Sequence, residues 1–285
     1  MQRIHPARRS TGMPSWRQAA PVAAAALALA GLAGVAQAGP NLVQNGSFSL
    51  TSGADSGSSA QFGTGYLNGS TPFLTVTDWA TSGYNFLFVP QTGTTSDTSA
   101  DNNGSTGSAG TLKLWGPGTA STNGLINSPD GGNFVGADSA FEAAAITQTI
   151  VGLIPGSQVT VNFDWAAAQQ SSFTGQTTDF WQVSLGSQTL FTPTVTLPSE
   201  GFSGWMTQVM KFTVPAGVTS EVLSFLAVGT PISPSEPPFA LLDGVSLQEV
   251  PEPASWALMV SGLVALVGIA RWRRKSVRAR GVATA

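Results

Sequence analysis

The sequence predicts an all-β body, an antiparallel sandwich, carried between two membrane-handling ends. Three observations lead there. Between residues 42 and 242, short segments alternate apolar and polar side chains, the period of a strand with one buried face. Gly, Ser, Thr, Asn and Pro separate these segments, the residues that turns require. No stretch of the body sustains the 3.6-residue period of an amphipathic helix. Many short strands with such turns indicate an antiparallel sandwich.

Taken in order, the first strand candidates are 42–50, 73–79, 84–89 and 112–115, each a short apolar-rich segment bounded by turn residues. Segments 134–136 and 146–151 follow. Segment 159–165 is the clearest, with Val159, Val161, Phe163 and Trp165 on one face and Thr160, Asn162 and Asp164 on the other. Segment 180–185 repeats this, setting Trp181, Val183 and Leu185 against Gln182 and Ser184. Segment 206–214 alternates less cleanly. Segments 222–228 and 239–242 are almost continuously apolar, which suits inner strands. Stretches 51–70 and 91–110 are rich in Gly, Ser, Thr and Asp and read as long loops.

The N-terminal end has Arg8, Arg9 and Arg17, then an apolar run over 22–35, then Ala36-Gln37-Ala38. That layout is a secretory signal peptide over 1–38 with an A-x-A cleavage site. The body then runs over 39–249. The C-terminal end, 250–280, opens with Val250-Pro251-Glu252-Pro253 and continues as an uncharged, mostly apolar run over 254–270. A basic tail over 271–280 carries Arg271, Arg273, Arg274, Lys275, Arg278 and Arg280. As a helix the apolar run would be about 25 Å long, the short end of a membrane span. Trp256 and Trp272 stand near its ends, as interfacial aromatics do. The basic tail stays cytoplasmic by the positive-inside rule, which leaves the body outside. Pro251 and Pro253 keep the motif extended and hold Glu252 as a lone anion beside the bilayer.

In this order, the Pro-Glu-Pro motif, short apolar span and Arg-rich end resemble the PEP-CTERM sorting signal of Gram-negative bacteria. The resemblance implies export, temporary lodging in the inner membrane, processing by an exosortase-type membrane protease, and delivery to the outer surface or an exopolysaccharide matrix. A plain anchor that is never cut is the alternative.

Composition narrows the chemistry. From residue 41 to 250 the only basic residues are Lys113 and Lys211, against fourteen Asp and Glu, a net charge of −12. The whole-chain value of −3 conceals this, because the other cations sit in the two ends. Such a body repels nucleic acid and anionic membranes. The chain has no Cys, and its single His, His5, precedes the body. The body also lacks Arg. A Ser-His-Asp triad, a Cys nucleophile, a His-ligated zinc and an arginine phosphate clamp are therefore excluded.

Three further segments bracket the body. Asn41 to Phe48 is similar to the opening strand of galactose-binding-like jelly-roll domains, Ile146 to Gly156 to their central turn, and Leu241 to Leu247 to their closing strand. The resemblance implies an antiparallel, eight-stranded jelly-roll β-sandwich, often carbohydrate-binding and often stabilised by calcium. It makes Asp243, in the closing strand, the candidate metal ligand. Calcium favours oxygen ligands, which this acid-rich body can supply. At the family's other acidic position this chain has Ser49, which removes one strong ligand.

Sugar binding needs aromatic faces beside Asn, Gln and Asp side chains. Trp165 and Trp181 lie in phase with apolar neighbours and read as core. Trp79, Tyr84, Trp115 and Trp205 lie beside Gly-rich turns and are the candidate ligand-binding residues. A carboxylate pair for glycoside hydrolysis could come from Glu142, Asp164, Asp179 and Glu200, but no local pattern marks an acid and a nucleophile. The expectation is a non-catalytic, carbohydrate-associated surface or matrix protein. The alternatives are a purely structural matrix or adhesion protein and a secreted carboxylate-dependent glycosidase.

Overall fold

The structure, a computed structural model, describes residues 39–54, 59–65, 69–89, 112–231, 236–250 and 262–271. The body spans Ala38–Val250, and the terminal segments form a separate unit. The signal peptide, the loop expected over 91–110 and the Pro251-Glu252-Pro253 motif lie outside the described residues. Within the expected span, residues 262–271 are helical and expose Leu263, Val264, Leu266, Val267 and Ile269. Among the described residues no helix is long and apolar enough to cross a membrane.

The strands of the body are β1 Thr51–Ser52, β2 Ala60–Gln61, β3 Thr75–Val76, β4 Asn85–Phe88, β5 Phe134–Asp138, β6 Ile146–Val151, β7 Gln158–Gln169, β8 Thr177–Leu185, β9 Gln188–Phe191, β10 Val195–Leu197, β11 Met206–Thr213, β12 Ser220–Thr230 and β13 Pro238–Glu249. A six-stranded sheet runs β11-β7-β13-β5-β4-β2. A five-stranded sheet runs β10-β8-β12-β6, with β9 also on β8. All pairings within these sheets are antiparallel, and the two sheets form the jelly-roll sandwich that the sequence predicts.

Alternation builds the inner core. From β7, Val159, Val161, Phe163 and Trp165 point inward; from β8, Trp181, Val183 and Leu185; from β12, Leu223, Phe225 and Ala227. Phe225 meets Phe163 at 5.1 Å and Trp181 at 6.1 Å, both edge to face.

β13 solves a phasing problem. Ala240 and Leu242 face the core, and so do Val245 and Leu247, which a strict period of two forbids. The register against β7 slips between Asp243 and Ser246, a bulge that inserts one residue. Gly244 sits there at φ +61°, and a Cβ on it would stand 3.0 Å from an Asp130 carboxylate oxygen.

A second hydrophobic cluster lies on the outer face of the six-stranded sheet. Phe86 and Phe88 of β4, Phe134 of β5, Ala166 and Ala168 of β7, and Phe239 and Leu241 of β13 belong to it. Leu112, Leu114 and Leu125, from the segment before β5, cover it. The small Ala166 and Ala168 leave room on β7 for this cover.

Several sequence expectations are corrected. Segment 42–50 is not a strand; Asn41 alone bridges to Gln248, and Asn45 and Phe48 take positive φ values of 50° and 53°. Segment 112–115 contributes only a bridge from Leu114 to Gln170, because its leucines serve the cover. Segment 73–79 is reduced to β3. The stretch 51–70, read as loop, supplies β1 and β2 and buries Ala60, Gln61 and Phe62. β9 and β10 are unexpected, since strands of four and three residues are too short for a period of two to show.

Candidate functional site

The four aromatic candidates do not form one platform. Trp79 is a core residue, 4% exposed, because its ring packs on Phe48 at 5.2 Å and Phe225 at 6.3 Å. Its Nε1–H donates to the Asn45 carbonyl at 3.0 Å, so even its polar end is used. This corrects the expectation of a surface place. Tyr84, half-buried, packs edge to face on Phe86 at 4.6 Å and Phe141 at 5.5 Å. Trp205, also half-buried, packs on Phe134 at 5.4 Å and donates to the Ile126 carbonyl at 3.1 Å. Trp115 donates to the Phe173 carbonyl at 2.6 Å. Tyr84 and Trp205 therefore rim the second cluster. Proximity to Gly-rich turns signalled a chain boundary, and at these boundaries the aromatics fasten the cover.

Among the described residues, no such cover lies on the outer face of the five-stranded sheet. It presents Thr178, Phe180, Gln182 and Ser184 from β8, and Val222, Ser224, Leu226 and Val228 from β12. Phe191 of β9 stands opposite Gln182, 58% exposed, and its ring meets Phe180 at 6.1 Å. Ser184 and Thr189 share a hydrogen bond of 2.9 Å, and Thr178 and Thr230 one of 2.6 Å. Every outward residue of β6, β8 and β12 here is uncharged. In so acidic a body, this face combines phenyl rings, aliphatic side chains, hydroxyls and one amide without a charge. Its sequence signal was weak. Phe180 and Phe191 are out of phase with the core residues of their strands.

Asp243 is fully buried under the covering segment. The Ser128 hydroxyl donates to its Oδ2, and its Oδ1 has no hydrogen-bond partner among the described residues. Burial, reinforced by the carboxylates of Asp130 and Asp164, pushes its pKa up to about 7. Asp164 accepts from the Thr207 hydroxyl at 2.6 Å. The orphaned oxygen and the nearby acids invite a cation, but the donors fall short. Among the described residues no three Asp, Glu, His or Cys side chains are placed to hold a metal ion. Calcium at Asp243 thus has no set of three carboxylate ligands among the described residues.

Of the carboxylates considered for hydrolysis, Asp164 and Asp179 lie on opposite faces of their sheets and do not meet. Asp164 is on the outer face of the six-stranded sheet, whereas Asp179 points into the sandwich. Asp179 is fully buried, accepts from the Ser139 hydroxyl, and leaves its Oδ2 unpartnered among the described residues. Burial pushes its pKa up to about 8, and the Asp138 charge adds to the shift. Asp138, also buried, rises to about 6 although it accepts from the backbone N–H groups of Ala140 and Phe141.

No curated protein sequence matches this chain significantly. Among solved structures, the bacteriophage CBA120 tailspike protein 4 enzymatically active domain is 16% identical with a TM-score of 0.32; the alignment covers 74% of this chain and 21% of that one. TmCBM61 in complex with β-1,4-galactotriose is 14% identical, TM-score 0.32, with 75% and 99% covered. The CBM22-1 xylan-binding domain from Paenibacillus barcinonensis Xyn10C is 10% identical, TM-score 0.33, with 76% and 99% covered. Residues 249–275 match the PEP-CTERM protein-sorting motif, so this jelly-roll body is joined to a PEP-CTERM sorting segment.

Proposed function

We propose that this chain is an exported surface or exopolysaccharide-matrix protein whose body is a non-catalytic module for neutral polysaccharide. The sorting match supports the route: passage through the inner membrane and recognition by an exosortase-type membrane protease. The observation that carries the binding reading is the uncovered, uncharged outer face of the five-stranded sheet, with Phe180 and Phe191 as its aromatic wall. Without Arg the body cannot clamp sulfate or uronate groups bidentately, and its negative charge disfavours anionic glycans.

Affinity electrophoresis of the processed protein through gels containing neutral glucan, xylan or galactan tests this. One of them should retard it, with little dependence on salt. The double variant F180A/F191A should lose at least about tenfold in affinity, roughly 1.4 kcal/mol. Trp205→Ala should leave retardation unchanged. If no neutral glycan retards the protein, the structural-matrix reading replaces this one.

Processing has its own test. Replacing Pro251, Glu252 and Pro253 together by alanine should leave the protein in the inner membrane with its basic tail attached. Intact mass of the recovered protein reads this directly. Normal release of that variant would remove the sorting reading.

A further inference from the structure

Both ends of the body leave from one pole of the sandwich. Val250 is the last body residue, and its N–H donates to the Gln158 carbonyl at 2.8 Å. Glu249, just before it, receives the Ile154 N–H at 3.0 Å and the Ser157 hydroxyl. At the other end of the chain, a Cβ on Gly39 would lie 3.2 Å from that of Glu249. The residue that follows the expected signal cleavage thus lies against the residue two before Pro251.

Two turns complete this pole. The β6–β7 turn and the β11–β12 turn are stapled together: the N–H groups of Gly152 and Leu153 donate to the Thr219 carbonyl at 3.1 Å, and that of Gly156 donates to the Val214 carbonyl at 3.0 Å. Residues 150–158 and 214–220 carry no charge, although the body around them has a net charge of −12; the next residue, Glu221, pairs with Ile150 and lies against the turn at Gly186. Val151 is 65% exposed and Ile154 58% exposed. The one acid at the chain exit, Glu249, is engaged by Ile154 and Ser157.

Chain reach decides what this pole meets. Only residues 251–253 separate Val250 from the apolar run that begins at 254. Extended backbone covers at most about 3.6 Å per residue, so Val250 is held within about 15 Å of the start of that run. The headgroup region is about 5–8 Å deep on each side of the hydrocarbon core, so the pole can stand no more than about 10 Å clear of it. We infer that the two charge-free turns of this pole, led by Val151 and Ile154, are a lipid-contact surface that seats the body on the membrane while the sorting segment is attached. The remainder of the acidic body is repelled by an anionic bilayer, which favours this orientation. The inference rests on the sorting reading, since the anchor brings the pole to the bilayer. Removal of the anchor would release the contact, because two exposed aliphatic side chains cannot hold a protein to lipid alone.

The absence of Cys makes the test clean. Single variants Val151→Cys, Ile154→Cys and Ile126→Cys would each carry one environment-sensitive fluorophore. Ile126 is equally exposed, at 60%, but its carbonyl accepts from Trp205, beside the end of β11 opposite the pole. The full chain would be reconstituted in phosphatidylethanolamine/phosphatidylglycerol vesicles containing headgroup-nitroxide lipids. The probes at 151 and 154 should lose most of their emission, and the probe at 126 should keep its own. Equal quenching at all three positions, or none at 151 and 154 in a chain that floats with the vesicles, overturns the pole while leaving the sorting reading intact. A chain that fails to float overturns both.

Discussion

Replacing Trp181 by alanine is expected to cost about 3–5 kcal/mol, the range for deleting a buried tryptophan. The side chain is fully buried in the inner core and packs edge to face on Phe225. It also joins the two sheets: from β8 its Nε1–H donates to the Leu241 carbonyl of β13 at 3.1 Å. Alanine would leave a large cavity and remove this bond between sheets. Typical domain stability is roughly 5–15 kcal/mol, so the loss is a large share of the total. Trp181→Phe should retain much of the packing and cost less, near the ~1–3 kcal/mol of an unmade buried hydrogen bond plus a small void. Trp205→Ala, at the half-buried rim of the second cluster, should also cost less than Trp181→Ala. Urea unfolding of the processed protein measures all three. A Trp205→Ala cost equal to or above that of Trp181→Ala would contradict the placement of the main core between the sheets.

The inner core was legible because β7, β8 and β12 obey one rule: alternate residues face the opposite sheet. Trp165 and Trp181 were read as core from phase alone, and both are fully buried. β13 was only partly legible. Its bulge at Gly244 shifts the phase midway, so the apolar pattern alone marks only 239–242; the resemblance carries the reading to Leu247, and the strand continues to Glu249. The second cluster was not legible. Its residues are out of phase with the inner core, and Leu112, Leu114 and Leu125 belong to a segment with no strand of its own. Covering residues obey no period, because their spacing follows an irregular path over the sheet. For the same reason Tyr84 and Trp205 looked like free aromatics near turns. The open face was missed for the opposite reason. Phe180 and Phe191 occupy outward positions, where the pattern predicts polar residues, and only the bare sheet makes them conspicuous.

The body should be more stable in acid than in alkali, and Asp179 should account for the part of that dependence that reaches the highest pH. Asp179 rises to about 8, Asp243 to about 7 and Asp138 to about 6, from an ordinary value of 3.8. Burial is the leading cause in each case. The folded state therefore holds these protons more tightly than the unfolded chain. Each group's contribution is fully present below pH 3.8, declines as the pH rises, and is gone once the pH passes its folded value. The slope is at most ~1.4 kcal/mol per pH unit for each carboxyl still protonated in the fold. Physically, a charge on Asp179 would appear inside the sandwich with Ser139 as its hydrogen-bond donor, one oxygen unpartnered and Asp138 close by. The melting temperature of the processed protein should accordingly fall between pH 5 and pH 9. Asp179→Asn removes the charge at nearly constant shape, so it should flatten the fall above pH 7 and exceed the parent protein's melting temperature at pH 9. A melting temperature that rises with pH over this range would reverse the sign, and a slope unchanged by Asp179→Asn would remove Asp179 as its source.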